Sequence, residues 1–160
     1  MISEIKKWIE EFVSTHNDQI GQVPCPFAKQ AMLKERINYV SVGKHTISPL
    51  IDSLVDNWDD KYEVVVVYCP TEDLTPKELS TMVTDFNDIA MSKDIVALED
   101  HPNDPEILNG ASMNFGKCIL VLVQRLSKLN NASEILKNQG YYDNWPKENY
   151  DDVVRWRFQK

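Results

Sequence analysis

Tyr62-Glu63-Val64-Val65-Val66-Val67-Tyr68 is the stretch that decides the fold. Side chains on a strand point alternately to its two faces, so four consecutive valines put apolar groups on both. A strand with no polar face belongs in mid-sheet, covered on both sides or nearly so. Working outward, Ile37-Asn38-Tyr39-Val40-Ser41-Val42 alternates and is rich in β-branched residues, which suits a half-buried strand that Gly43 closes. Between the two, Ser48-Pro49 offers a capping hydroxyl with proline at the first helical position, and Leu50, Ile51, Leu54, Val55 and Trp58 form the inward face. On the other side, Thr75-Pro76-Lys77-Glu78 is a capping box that opens a helix. Its apolar stripe is Leu79, Met82, Val83, Phe86, Ile89 and Ala90.

Farther out, Asp94 to Leu98 reads as a short strand that runs into the proline-rich Glu99-Asp100-His101-Pro102-Asn103-Asp104-Pro105. Cys118 to Val123 is another buried strand, and Asn131 with Glu134 caps a short helix before Gly140. At the start of the chain, Ile2, Ile5, Trp8, Ile9, Phe12 and Val13 recur at helical spacing opposite Lys6, Lys7, Glu10 and Glu11, which predicts an amphipathic first helix. At the end, Tyr141, Tyr142, Trp145, Tyr150, Trp156 and Phe158 are too many rings for a disordered tail, so the tail is expected to pack on the body. Four strands with helices mainly on one face make a single α+β domain over residues 1–160, a sandwich of ferredoxin-like character. The same order of strands and helices also fits a thioredoxin-like α/β core.

At 160 residues with 42% apolar side chains, the chain can bury a core without disulfides or a structural metal. Its net charge of -8 repels phosphate backbones and anionic membrane surfaces, which argues against nucleic acid or a membrane as a general partner. Three widely spaced cysteines, without a Cys-x-x-Cys pair, fit a reducing compartment. Charged residues break up the first 13 positions, unlike a signal peptide, and no later run approaches the roughly 20 apolar residues of a membrane span. The expected location is the cytoplasm.

The first chemical candidate is Cys25, in Pro24-Cys25-Pro26-Phe27-Ala28 just ahead of a helix that runs toward Leu33. Free N–H groups and the positive end of the helix dipole favour a thiolate there, lowering the pKa from about 8.5. The second is His101, in a loop beyond a strand end, where an imidazole exchanges protons near neutral pH and Asp104 is placed to orient it. Arg125, Phe27 and Asn114 are the candidate substrate contacts. Arg offers a bidentate fork to an anionic group, Phe27 adjoins the thiol, and the Asn114-Phe115-Gly116 loop lies where it can border a pocket. Arg155 and Arg157, which flank Trp156, and Lys117 are further candidates for an anion pocket; ordinary pairing with Asp151 and Asp152 is the competing reading. Cys25, Cys69 and His101 would suit zinc or iron if they converged at one end of the sheet. Cofactor and metal stay open. Cys118 reads as core, and His16 and His45 as surface.

Cys25-Pro26-Phe27 resembles the Cys-Pro-aromatic-Cys opening of glutaredoxins. Ala28 stands where the second cysteine would be, which excludes a dithiol mechanism. Over residues 8 to 110, Cys25-Pro26-Phe27-Ala28, Cys69-Pro70 and His101-Pro102 with Asp104 resemble bacterial families of unknown function that share a Cys-Pro-Phe motif and a later His-Pro motif. The resemblance marks Cys25, His101 and Asp104 without implying a reaction, and the families' Asn-Arg-Ser-Pro-Tyr-Pro segment has no counterpart after Gly110. Two readings of function follow. One is a small enzyme with a reactive Cys25 thiolate and His101 acting on a small anionic substrate; the other is a non-catalytic, oligomeric interaction module.

Overall fold

The computed structural model describes residues 1–158. Six strands occur in chain order: β1 (Ile37–Ser41), β2 (Val64–Cys69), β3 (Ile95–Asp100), β4 (Ile107–Leu108), β5 (Ala111–Ser112) and β6 (Ile119–Arg125). The helices are α1 (Ile2–Trp8), α2 (Ala28–Leu33), α3 (Ile47–Asp56), α4 (Pro76–Ala90), α5 (Leu126–Asn138) and α6 (Lys147–Val153). The main sheet has four strands in the order β1-β2-β6-β3. β1 and β2 run parallel through the α3 crossover, with Ile37 opposite Val64. The α4 crossover then carries the chain past one vacant place to β3, and β6 fills that place antiparallel to both neighbours.

The α+β class and the four-stranded sheet are as the sequence implies, and the valine strand β2 is an interior strand. The threading differs from the βαββαβ order of a ferredoxin-like sandwich. Two crossovers precede the central antiparallel strand, and two more strands, β4 and β5, form a hairpin outside the sheet. Asn109-Gly110 turns that hairpin with positive φ at both residues, 50° and 84°, a backbone that Asn and Gly adopt most easily.

Helices cover both faces of the sheet rather than mainly one. Val65, Val67 and Cys69 join Ile95, Ala97, Ile119, Val121 and Val123 on the face packed by α3 and α4. Val64, Val66 and Tyr68 point the other way with Leu120 and Leu122, toward α1, the π-helical turn Ile9–Val13 and α2. Each fully buried valine contributes about 1.5–3 kcal/mol, so a run of four needs cover on both faces.

Three local expectations are corrected. α3 starts at Ile47, ahead of Ser48-Pro49, because the turn from Gly43 already directs the Thr46 and Ile47 N–H groups to the Gly43 carbonyl. Ile89 is 66% exposed, and Asn87 takes the buried place on α4 instead. Its amide donates to the Ala97 carbonyl (3.0 Å) and accepts from the Ala97 N–H (2.8 Å), so it closes the outer edge of β3 as a neighbouring strand would. Finally, α5 begins at Leu126, directly from β6, with no short helix capped at Asn131. The start of α5 is held from a distance: the Asp94 carboxylate accepts from the Ser127 N–H (2.7 Å) and hydroxyl (2.6 Å), and the Asp94 carbonyl accepts from Leu126.

Four of the rings after Gly140 pack on one another, with Tyr142 edge-on to Tyr141, Trp145 and Tyr150. No helix among the described residues is long and apolar enough to cross a membrane.

Candidate functional site

Cys25 lies in the turn before α2, half-buried. The π-helical turn after α1 leaves the Val13 carbonyl facing this segment, where it accepts from the Cys25 N–H at 2.9 Å. On the far side, the Tyr141 hydroxyl bonds the carbonyls of Val23 and Pro24, the latter at 2.8 Å, so the segment is clamped between the N-terminal helix and the tail. Two influences oppose each other at the sulfur. Burial pushes the thiol pKa up, while the Phe27 and Ala28 N–H groups favour the thiolate; burial is the larger, and the net direction is upward. Burial likewise pushes the Tyr141 phenol far up, with the nearby Cys25 adding to it. Phe27, at the N-cap of α2, is 41% exposed.

His101 is 3% exposed, just past the end of β3. Its Nε2 lies 2.7 Å from the Leu74 carbonyl, and its Nδ1 accepts from the Asn103 N–H at 3.0 Å. A carbonyl only accepts and an N–H only donates, so these partners fix the neutral tautomer with its proton on Nε2. Both nitrogens are thereby committed to backbone groups. Asp104 does not hold the ring. Its exposed carboxylate makes no hydrogen bond to the imidazole, and its backbone N–H bonds the His101 carbonyl at 3.0 Å.

Asn114 organises this loop. Its Nδ2 is within bonding distance of Asp100 Oδ1 (2.8 Å), the His101 carbonyl (3.1 Å) and the Asp104 carbonyl (3.1 Å), while its Oδ1 accepts from the Glu106 N–H (2.7 Å). The second Asp100 oxygen accepts from the Phe115 N–H at 3.0 Å. The amide has three acceptors for two protons and is fully engaged inside the protein. Around it, burial pushes the carboxyls of Glu99, Asp100 and Glu106 up. Asp104 adds to the shift at Glu99 and Glu106, and Asp100 to that at Glu106.

The partners of Cys25 are Val13, Phe27, Ala28 and Tyr141, and those of His101 are Leu74, Asn103, Asp104 and Asn114; the two sets share no residue. Arg125 lies elsewhere, bound through Nε and Nη2 to the Asp60 carboxylate at 3.1 and 3.4 Å. Cys69 and Cys118 are buried in the cores on opposite faces of the sheet, and burial pushes each thiol up to about 11. Among the described residues, no group of three His, Cys, Asp or Glu side chains is placed to hold a metal ion. Lys117 faces Glu4 at 3.9 Å, and His16 faces Asp18 at 3.5 Å, both at the surface.

The end of the chain carries a second polar constellation. Arg155 pairs with Asp151 at 3.5 Å, as ordinary charge pairing would have it. Arg157 does not follow that pattern: it is 3% exposed and bonds the Val153 carbonyl (3.1 Å), Asn130 Oδ1 (3.0 Å) and Ser133 Oγ (2.9 Å). Asn130 and Ser133 are missed by the sequence reading. Their signal is a spacing of three, which puts both on one side of α5. No family of known proteins, no curated protein and no solved structure matches the chain.

Proposed function

We propose that this chain is a non-catalytic binding module in which Cys25 and His101 belong to the framework. The observation that carries this reading is the engagement of both His101 nitrogens by backbone groups, Leu74 C=O and Asn103 N–H. A general base needs one free ring nitrogen within hydrogen-bond reach of the proton it removes. Here the imidazole ties the end of β3 to the segment before α4. Cys25, whose pKa burial raises, is the wrong way from neutrality for a nucleophile. Asn114 and Arg125 likewise spend their polar groups on internal partners.

One observation favours the enzymatic alternative: the Phe27 and Ala28 N–H groups lower the Cys25 pKa against the effect of burial, although the Ala28 N–H also bonds the Cys25 carbonyl at 3.3 Å. The rate of Cys25 alkylation by iodoacetamide between pH 6 and 10, measured by peptide mass spectrometry on the folded chain, separates the two. The binding-module reading expects slow alkylation that is still rising above about pH 8.5. A fast reaction that has reached its plateau by about pH 7 would overturn it in favour of a catalytic thiolate.

A further inference from the structure

A cleft of about 470 Å³ opens between α5, α6 and the C-terminal turn Arg155–Phe158, lined by Ser133, Glu134, Lys137, Tyr150, Val154, Arg155 and Phe158. Its walls are largely apolar, its rim carries Lys137 and Arg155, and behind Ser133 lies the buried guanidinium of Arg157. We propose that this cleft binds a small amphiphilic anion, an apolar body ending in a carboxylate or sulfonate, with the charged end toward Ser133, Lys137 and Arg155.

Three observations support the anion. Arg157 has five N–H donors and uses three, on Val153, Asn130 and Ser133, and no carboxylate of the described residues pairs with it. A buried cation without a counter-ion is costly, and an anion in the cleft would lower that cost only across Ser133, which lies between the lining and the guanidinium. Next, Ser133 Oγ accepts from Arg157 and lies 3.3 Å from the Tyr142 hydroxyl. The Tyr142 hydroxyl donates to Ser133, so Ser133 accepts from both neighbours and its own proton, in the lining of the cleft, is spent on neither. Finally, the lining sets two cations, Lys137 and Arg155, against one carboxylate, Glu134, in a chain whose net charge is -8. Lys137 extends over the Tyr150 ring, 5.8 Å from its centroid; Arg155 is shared with Asp151, a half-buried carboxylate that Lys147 also holds at 2.8 Å. The apolar body is set by Val154, Phe158 and the Tyr150 ring, and the volume falls in the range of small-molecule sites.

This inference rests on the binding-module reading and names its ligand. The test is a titration of the full chain with 8-anilinonaphthalene-1-sulfonate, followed by fluorescence and by backbone amide shifts. The expected result is saturable binding with shifts centred on residues 133–137 and 150–158, reversed by octanoate and not by octylammonium. Lys137→Glu on α5 and Arg155→Glu in the C-terminal turn should each weaken it about tenfold. Lys7→Glu makes the same change of net charge on α1 and should leave binding within about twofold. Absence of saturation, shifts centred elsewhere, equal loss in Lys7→Glu, or displacement by octylammonium as effective as by octanoate would each overturn the anion cleft. A failed titration with Cys25 still slow to alkylate removes this ligand and leaves the module reading in place; fast alkylation removes that reading itself.

Discussion

Glu99 stands half-buried beside Asp104, and burial first, then that neighbouring charge, pushes its carboxyl above the ordinary range. The folded protein thus holds this proton more tightly than the unfolded chain, where Glu titrates near about 4.3. Between that value and the raised one the folded state binds more protons, so stability falls as pH rises, and the penalty is complete above the raised value. Glu99→Gln removes the charge and with it the penalty. Urea unfolding should show no difference between variant and wild type near pH 4 and a growing advantage for the variant toward pH 7. A difference that is the same at every pH would contradict this. His101 teaches a related lesson about side chains that look catalytic in sequence. The residue type and its post-strand position were legible, but its partners were not, because Leu74 is 27 positions away and contributes only a backbone carbonyl.

Among the elements, α4 was the most legible: its capping box, first-turn proline and apolar stripe all lie within one local window, and the helix spans Pro76–Ala90 with both capping-box bonds formed. The position the stripe misplaced is also the informative one. Asn87 faces inward because the outer edge of β3 leaves Ala97 with an unpaired N–H and C=O, and a side-chain amide satisfies both. Asn87→Leu keeps the size and the apolar character of the site but orphans both backbone groups, so chemical denaturation should show a loss of about 2–4 kcal/mol. A loss below about 0.5 kcal/mol would show that water replaces the amide at no cost. The start of α5 was illegible for the same reason as the His101 partners. Its capping carboxylate, Asp94, is 33 residues away from Ser127, whereas Asn131, the cap candidate close in sequence, lies inside α5.

For the whole molecule, the valine strand settled the sheet and its two-sided burial, while composition could not say how the strands would be threaded. Cys25 and His101 have no hydrogen-bond partner in common. Cys25 is held by the turn after α1 and by the tail, and His101 by the segment before α4 and by the loop that Asn114 organises. Two motifs that stand out together in sequence thus serve two separate parts of the framework, which is why the binding-module reading outweighs the enzymatic one. The direct measurement is a long-range ¹H–¹⁵N NMR spectrum of the His101 ring in the wild type and in Cys25→Ser. One neutral tautomer protonated on Nε2, with ring shifts the same in both proteins, is the predicted result. An imidazole averaging between tautomers, or ring shifts that move when the thiol is removed, would contradict the separation of the two sites.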